Sequence, residues 1–183
     1  MKKIILVAAL VLFSFTVNAQ DDGSALSKGS WLLEANTGFG GGDLNVAHSA
    51  HTGFALQATD GYTAYSVGAE AGYFLADNLA LKIGLGLNGQ KLDGQDAVST
   101  LTYKVGAKYY LDDKFPLQVD VTGATGESFG DDKPLWLGLQ AGYAIFISNS
   151  VSVEPGLRYN VSLNQDFSDK GLFELRVGFV VHL

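Results

Sequence analysis

Eight times along this chain apolar residues alternate with small or polar ones at a period of two, and no stretch after residue 19 carries the 3.6-residue period of a helix. The segments are Ser30–Phe39, Tyr62–Leu75, Leu79–Gln90, Ser99–Leu111, Phe115–Thr122, Leu135–Ile147, Ser150–Val161 and Leu172–Leu183. An extended backbone sends successive side chains to opposite faces, so each segment reads as a strand with one apolar face. That face carries Trp31, Leu33 and Phe39 in the first segment, Tyr65, Val67 and Leu75 in the second, and Leu79, Leu81, Ile83, Leu85 and Leu87 in the third. Later segments repeat it down to Phe173, Leu175, Val177, Phe179 and Val181, and no charge interrupts it.

The opposite face separates this pattern from a soluble sandwich, whose polar face is bulky and solvated. Here it holds glycines such as Gly72, Gly84, Gly86, Gly106, Gly138 and Gly178 beside five acids, Glu34, Glu70, Asp120, Glu154 and Glu174, and five bases, Lys82, Lys104, Lys108, Arg158 and Arg176. Small residues and balanced charge suit the lumen of an eight-stranded barrel, which is only wide enough for side chains to fill it. The expected fold is therefore all-β, an eight-stranded antiparallel up-and-down transmembrane β-barrel whose lumen is closed by an ion-pair network of these ten residues. Pairing of the fourth and fifth segments through the turn at Asp112–Lys114 would put Asp120 opposite Gly106, with Lys104 and Lys108 diagonal to it. Pairing of the last two with Arg158 opposite Glu174 would put Arg176 between Arg158 and Glu154. Two plugs are expected, one of Lys104, Lys108 and Asp120, the other of Glu154, Arg158, Glu174 and Arg176.

The stretch GLGLNG, Gly84 to Gly89, matches the glycine fingerprint of dinucleotide-binding proteins. That reading needs a helix to open at the glycines and receive a pyrophosphate. The alternation runs straight through them, so the strand never yields to a helix. Gly84 and Gly86 are expected instead to make room in a narrow tube for Lys82.

Lys2 and Lys3 precede an apolar run ending in Val17-Asn18-Ala19, which reads as a signal peptide over residues 1–19 with the barrel domain at 20–183. The run is too short for a membrane helix, and no later segment is long and apolar enough to be one. There is no cysteine, which excludes a lipoprotein anchor, disulfides and thiolate metal sites. Removal of Lys2 and Lys3 moves the formal net charge from −7 to −9, an acidic balance that argues against a nucleic-acid partner. The connections alternate in length. Those at Ala76–Asn78, Asp112–Lys114 and Ser148–Asn149 are short, while Gly40–Gly61, Lys91–Val98, Gly123–Pro134 and Ser162–Gly171 are longer and polar. Short turns at one end and long loops at the other is the outer-membrane barrel arrangement, with the turns in the periplasm. Aromatic residues fall near both ends: Trp31, Tyr73, Tyr109 and Phe179 by the short turns, and Phe39, Tyr65, Tyr103, Tyr159 and Phe173 by the long loops. Pro155, facing outward in the seventh segment, removes a ladder donor and implies a local distortion.

The segment AGYFLADNLALKIGLGL, with its echoes AKYYLDDKFPLQVDV and AGYAIFISNSVSVEPGLRYN, resembles the hairpins of the small outer-membrane β-barrel family that includes OmpA-type and OmpX-type proteins, in the variety common in Bacteroidetes. The resemblance covers nearly all of the chain after residue 19. It implies an outer-membrane location, contact with outer-membrane lipid and lipopolysaccharide, handling by the barrel assembly machinery during insertion, and a monomer. Members often end on an aromatic residue read by that machinery, whereas this chain ends on His182-Leu183, so recognition is expected to rest on the alternating apolar residues.

Chemistry-bearing residues are few. His48 and His51 lie three apart in the first long connection near Asp43, but no third ligand has a metal-site spacing, so no metal or cofactor is assigned. Ser49 beside them lacks a third group to hold a base, and no catalytic residues are assigned. His182 is expected to fill the lumen near the short-turn rim. The reading that follows is a non-enzymatic outer-membrane barrel with a structural or surface-interaction role, its loops open to an extracellular ligand. The alternatives are a small-solute, porin-like channel and, further off, a lipid-modifying enzyme.

Overall fold

The computed structural model describes residues 25–40, 54–59, 62–126 and 129–183, so the signal-peptide assignment and the residues His48, Ser49 and His51 lie outside it. Ten strands form among the described residues: β1 (Trp31–Gly40), β2 (Phe54–Thr59), β3 (Tyr62–Ala76), β4 (Leu79–Leu92), β5 (Val98–Leu111), β6 (Phe115–Gly126), β7 (Leu135–Gly142), β8 (Ile145–Ser148), β9 (Val151–Ser162) and β10 (Leu172–His182). All pairings are antiparallel. Neighbours follow chain order, and β1 closes the sheet by pairing with both β10 and β3. The result is a closed barrel of eight staves, one of them split into β7 and β8.

Its dimensions follow from the register. Directly opposed residues lead from Glu34 through Glu70, Gly84, Lys104, Thr122 and Trp136 to Ser162 on β9. In the other direction they lead from Glu34 through Val180 to Ser152, on the same strand ten residues away. A stagger of ten over eight strands, at strand spacings of about 4.7 Å and a rise of about 3.3 Å per residue, sets a tilt of about 40° and a radius of about 8 Å. A dozen residues then rise about 30 Å, the thickness of a hydrocarbon core.

Polarity is inverted relative to a water-soluble barrel. Ile83 is 59% exposed and Leu85 63% exposed on the outside, whereas Lys82 and Arg158 on the inside are 1% and 0% exposed. Near the long-loop end three outward tyrosines lean over glycines in or just before the next strand, Tyr65 on Gly89, Tyr103 on Gly123 and Tyr159 on Gly171. A Cβ at any of these glycines would strike the ring, so the glycines seat the aromatic girdle. At the other end Trp31 and Tyr73 pack with ring centroids 5.0 Å apart. The turn between β5 and β6 closes with Asp112 and Asp113 both at positive φ (49° and 60°), a conformation that aspartate tolerates and that matches strand twist.

Two local expectations are corrected. The first long connection contains β2, which pairs with Tyr62–Val67 of β3 and extends the wall beyond the part closed by β1. Its cue was Asp60-Gly61 between two short alternating runs, a hairpin signal. The sixth segment is not continuous but breaks at Tyr143-Ala144. Tyr143 N–H donates to the Pro155 carbonyl at 2.9 Å, and proline has no N–H to return the bond. Ala144 N–H turns to the Lys114 carbonyl at 2.7 Å instead.

Candidate functional site: the filled lumen

All ten charged residues singled out from the sequence are buried on the inner face. The expected register is present, with Gly106 opposite Asp120 and Glu174 opposite Arg158. The partners of Asp120 and Lys104, however, are not the expected diagonal ones, because Lys104 and Arg158 each pass over a glycine, Gly84 and Gly138, to reach the strand beyond it. Lys104 bridges to Glu70 at 2.5 Å, not to Asp120. Lys82 bridges to Glu70 at 2.7 Å and to Glu34 at 2.6 Å. Lys108 bridges to Glu34 at 2.8 Å and also to Glu154. The series Lys104, Glu70, Lys82, Glu34, Lys108, Glu154 is thus one zigzag of alternating sign from β5 through β3, β4 and β1 back to β5 and on to β9.

The arginines behave differently. Arg158 grips Asp120 with both terminal nitrogens at 2.6 Å, a planar fork on a carboxylate. Arg176 bridges to Glu174 at 3.1 Å, two residues away on its own strand, and donates to Asn36. The two plugs expected from the sequence are therefore replaced by a lysine–glutamate lattice in the short-turn half and separate arginine–carboxylate pairs in the half toward the long loops.

Neutral residues join the two. Asn36 donates to Glu34 at 3.2 Å and to Glu70 at 3.0 Å while accepting from Arg176. Gln118 accepts from Lys82 at 2.8 Å and donates to Asp120 at 2.7 Å. Thr122 adds a bond to Asp120, and Tyr110 and Ser152 add bonds to Glu154. The Nε2 of His182 lies 3.1 Å from the Ser152 hydroxyl, near the short-turn rim. His182 lies where the sequence places it, whereas Asn36, Gln118, Thr122, Tyr110 and Ser152 were missed, although each sits two residues from a charge and shares its inward parity. The glycine that Lys82 crosses is its cross-strand partner Gly72, where an added Cβ would meet the lysine Cγ at 3.1 Å.

Below the lattice an apolar layer closes the short-turn end: Leu32, Phe74, Ala80, Tyr110, Ala144 and Val180 surround Leu26. At the opposite end Trp136 is buried, with Phe167 at 6.3 Å and Phe129 beyond it. Five carboxylates and five cations, each bridged to a group of opposite sign, leave the tube electrically balanced, a filled interior rather than a binding cleft.

No family model and no curated protein matches the sequence, so the likeness to OmpA-type, OmpX-type and Bacteroidetes-type barrels rests on the hairpin residues alone. Solved structures similar to this chain include a de novo designed transmembrane β-barrel, 14% identical with a TM-score of 0.46 over 86% of this chain and 98% of that one. Neisserial surface protein A (NspA) is 16% identical, with a TM-score of 0.44 over 85% of this chain and 100% of its own. The N-terminal β-barrel domain of Pseudomonas aeruginosa OprF is 14% identical, with a TM-score of 0.44 over 84% and 97%.

Proposed function

We propose that this chain is an integral outer-membrane protein whose barrel is closed to solutes by its own ion pairs, and whose role is structural or carried by its longer loops at the cell surface. The observation that carries this is the inverted polarity: an uncharged apolar wall of membrane height around ten buried, mutually neutralising charges. A barrel leaves no backbone edge for lipid to desolvate, and eight strands leave no channel once side chains fill the centre. Contact with lipid and lipopolysaccharide, a monomeric state and delivery by the barrel assembly machinery belong to the same proposal. The acidic loop residues Asp93, Asp96, Asp131 and Asp132 face the long-loop side, where divalent cations could link them to anionic lipopolysaccharide.

Fractionation should recover the protein in the outer membrane, and unheated protein in detergent should migrate differently from boiled protein. Planar-bilayer recordings should show little steady conductance. Large, stable channels from the native chain would overturn the closed reading in favour of a small-solute porin, and lipid turnover by the purified protein would favour an enzyme. Tags in the Gly40–Gly61 connection should be reachable on intact cells; reachability at Asp113 instead would invert the topology.

A further inference from the structure

We infer that the turn preceding β1, Ala25–Ser30, is a stopper that closes the short-turn mouth of the barrel, a seal separate from the ion-pair lattice above it. Leu26 is 1% exposed and sits inside a ring of inward side chains contributed by β1, β3, β4, β5 and β10 together with Ala144 between β7 and β8. A leucine at the centre of such a ring removes from water both itself and the inner faces of Leu32, Phe74, Tyr110 and Val180. The turn is fastened to the rim at the end of β3 and at the turn that follows it. Its Leu26 carbonyl accepts from Asn78 N–H at 2.8 Å, Lys28 N–H donates to the Asp77 carboxylate at 2.8 Å, and Gly29 N–H donates to the Phe74 carbonyl at 2.9 Å.

The rim continues this belt. Tyr110 N–H donates to the Asn78 carbonyl at 2.8 Å, the Asn78 side chain donates to Asp113 at 2.7 Å, and Ala144 N–H donates to the Lys114 carbonyl at 2.7 Å. The stopper therefore latches onto a hydrogen-bonded collar of short turns. Its work is to keep water from Ser152, Glu154 and His182 at the foot of the lattice.

The inference goes beyond the closed-barrel reading, and its test is independent of conductance. The chain has no cysteine, so Ala144→Cys in the full-length barrel in detergent provides a single thiol in the ring. Its reaction with a charged methanethiosulfonate should be at least about 100-fold slower than that of Asp113→Cys in the exposed turn, because reaction waits for local opening. Adding Leu26→Gly should speed it by about 10-fold or more with the unheated gel mobility retained, and Asp77→Ala should speed it by a smaller factor. An Ala144→Cys thiol as reactive as the turn thiol, or an unchanged rate in both Leu26→Gly and Asp77→Ala, would overturn the stopper. So would loss of the folded barrel in Leu26→Gly, which would make Leu26 part of the folding core. Bilayer conductance reports the ion-pair layer and thiol reaction reports the stopper, so the two readings can fail separately.

Discussion

The two halves of the lumen hold the same kinds of charge by different means. Toward the short turns, lysines share carboxylates: Glu34 serves Lys82 and Lys108, and Glu70 serves Lys82 and Lys104. Toward the long loops, Arg158 spends both terminal nitrogens on Asp120 alone, and Arg176 bridges Glu174 beside it. An ammonium is a point charge on a flexible stem that can stand between several oxygens, whereas a guanidinium is a rigid fork suited to one carboxylate. Damage to the lysine half should therefore spread along the lattice, and damage to the arginine half should stay where it is made.

The largest effect is expected from Glu34→Gln. It takes one carboxylate from two buried ammoniums at once, leaving Lys82, Lys104 and Lys108 only Glu70 and Glu154 to share, and breaking a buried pair from one side costs about 3–5 kcal/mol. Guanidinium titration of the barrel in detergent should show a midpoint lowered accordingly with an unchanged slope. Asp120→Asn comes next, at about 3 kcal/mol, since a single arginine loses its counter-charge and the amide still offers one acceptor. A loss from Asp120→Asn larger than that from Glu34→Gln would break the distinction between shared and private pairs. Asp120→Lys places a third cation beside Arg158 and Lys104 and should prevent folding or make the barrel leak.

The halves are not wholly independent, and Gln118 measures by how much. It is the amide that takes a bond from Lys82 and gives one to Asp120. A double-mutant cycle between Glu34→Gln and Asp120→Asn should show coupling of about 0.5–1 kcal/mol that disappears in a Gln118→Leu background. Strict additivity in the native background would remove the link.

How much of this was legible beforehand follows from what period-two patterning can and cannot encode. Parity assigns a face, so Glu34, Lys82 and Arg158 read as inward and Leu85 as outward without any knowledge of the tube. Register followed too, since Asp112-Asp113 fixes the β5–β6 turn and the turn fixes Gly106 against Asp120. Partner choice did not follow. In a sheet of unknown curvature the nearest candidates are diagonal neighbours on the next strand, but curvature turns inward side chains toward one another, and a glycine on the strand between lets a lysine or arginine reach the strand beyond. Lys104 thus finds Glu70 two strands away. Neutral connectors such as Asn36, Gln118 and Ser152 were equally readable by parity and were passed over because they carry no charge. The break at Tyr143-Ala144 was half legible: Pro155 announced a missing donor, but not that Ala144 would turn to Lys114.

Two glycines, one in each half, sharpen the contrast most cleanly because neither substitution alters a charge. Both Gly138 and Gly178 lie within strands, so alanine is conformationally acceptable and restricts the unfolded chain, a gain of about 0.4–1 kcal/mol. At Gly138 the added Cβ would collide with the Arg158 guanidinium, which cannot retreat without loosening its two-pronged hold on Asp120. Overpacking of that kind costs about 1–3 kcal/mol, so Gly138→Ala should be net destabilising. At Gly178 the Cβ would meet a Glu34 carboxylate oxygen at 3.3 Å and the Glu154 Cβ at 3.6 Å. A carboxylate shared between two flexible lysines can shift by a few tenths of an ångström and keep both, so Gly178→Ala should stay within about 0.5 kcal/mol of the native barrel. Equal losses at the two sites, measured in the same guanidinium titration, would mean that the lysine lattice is as rigid as the arginine fork, and the division of the lumen into an adaptable and an inflexible half would fall with it.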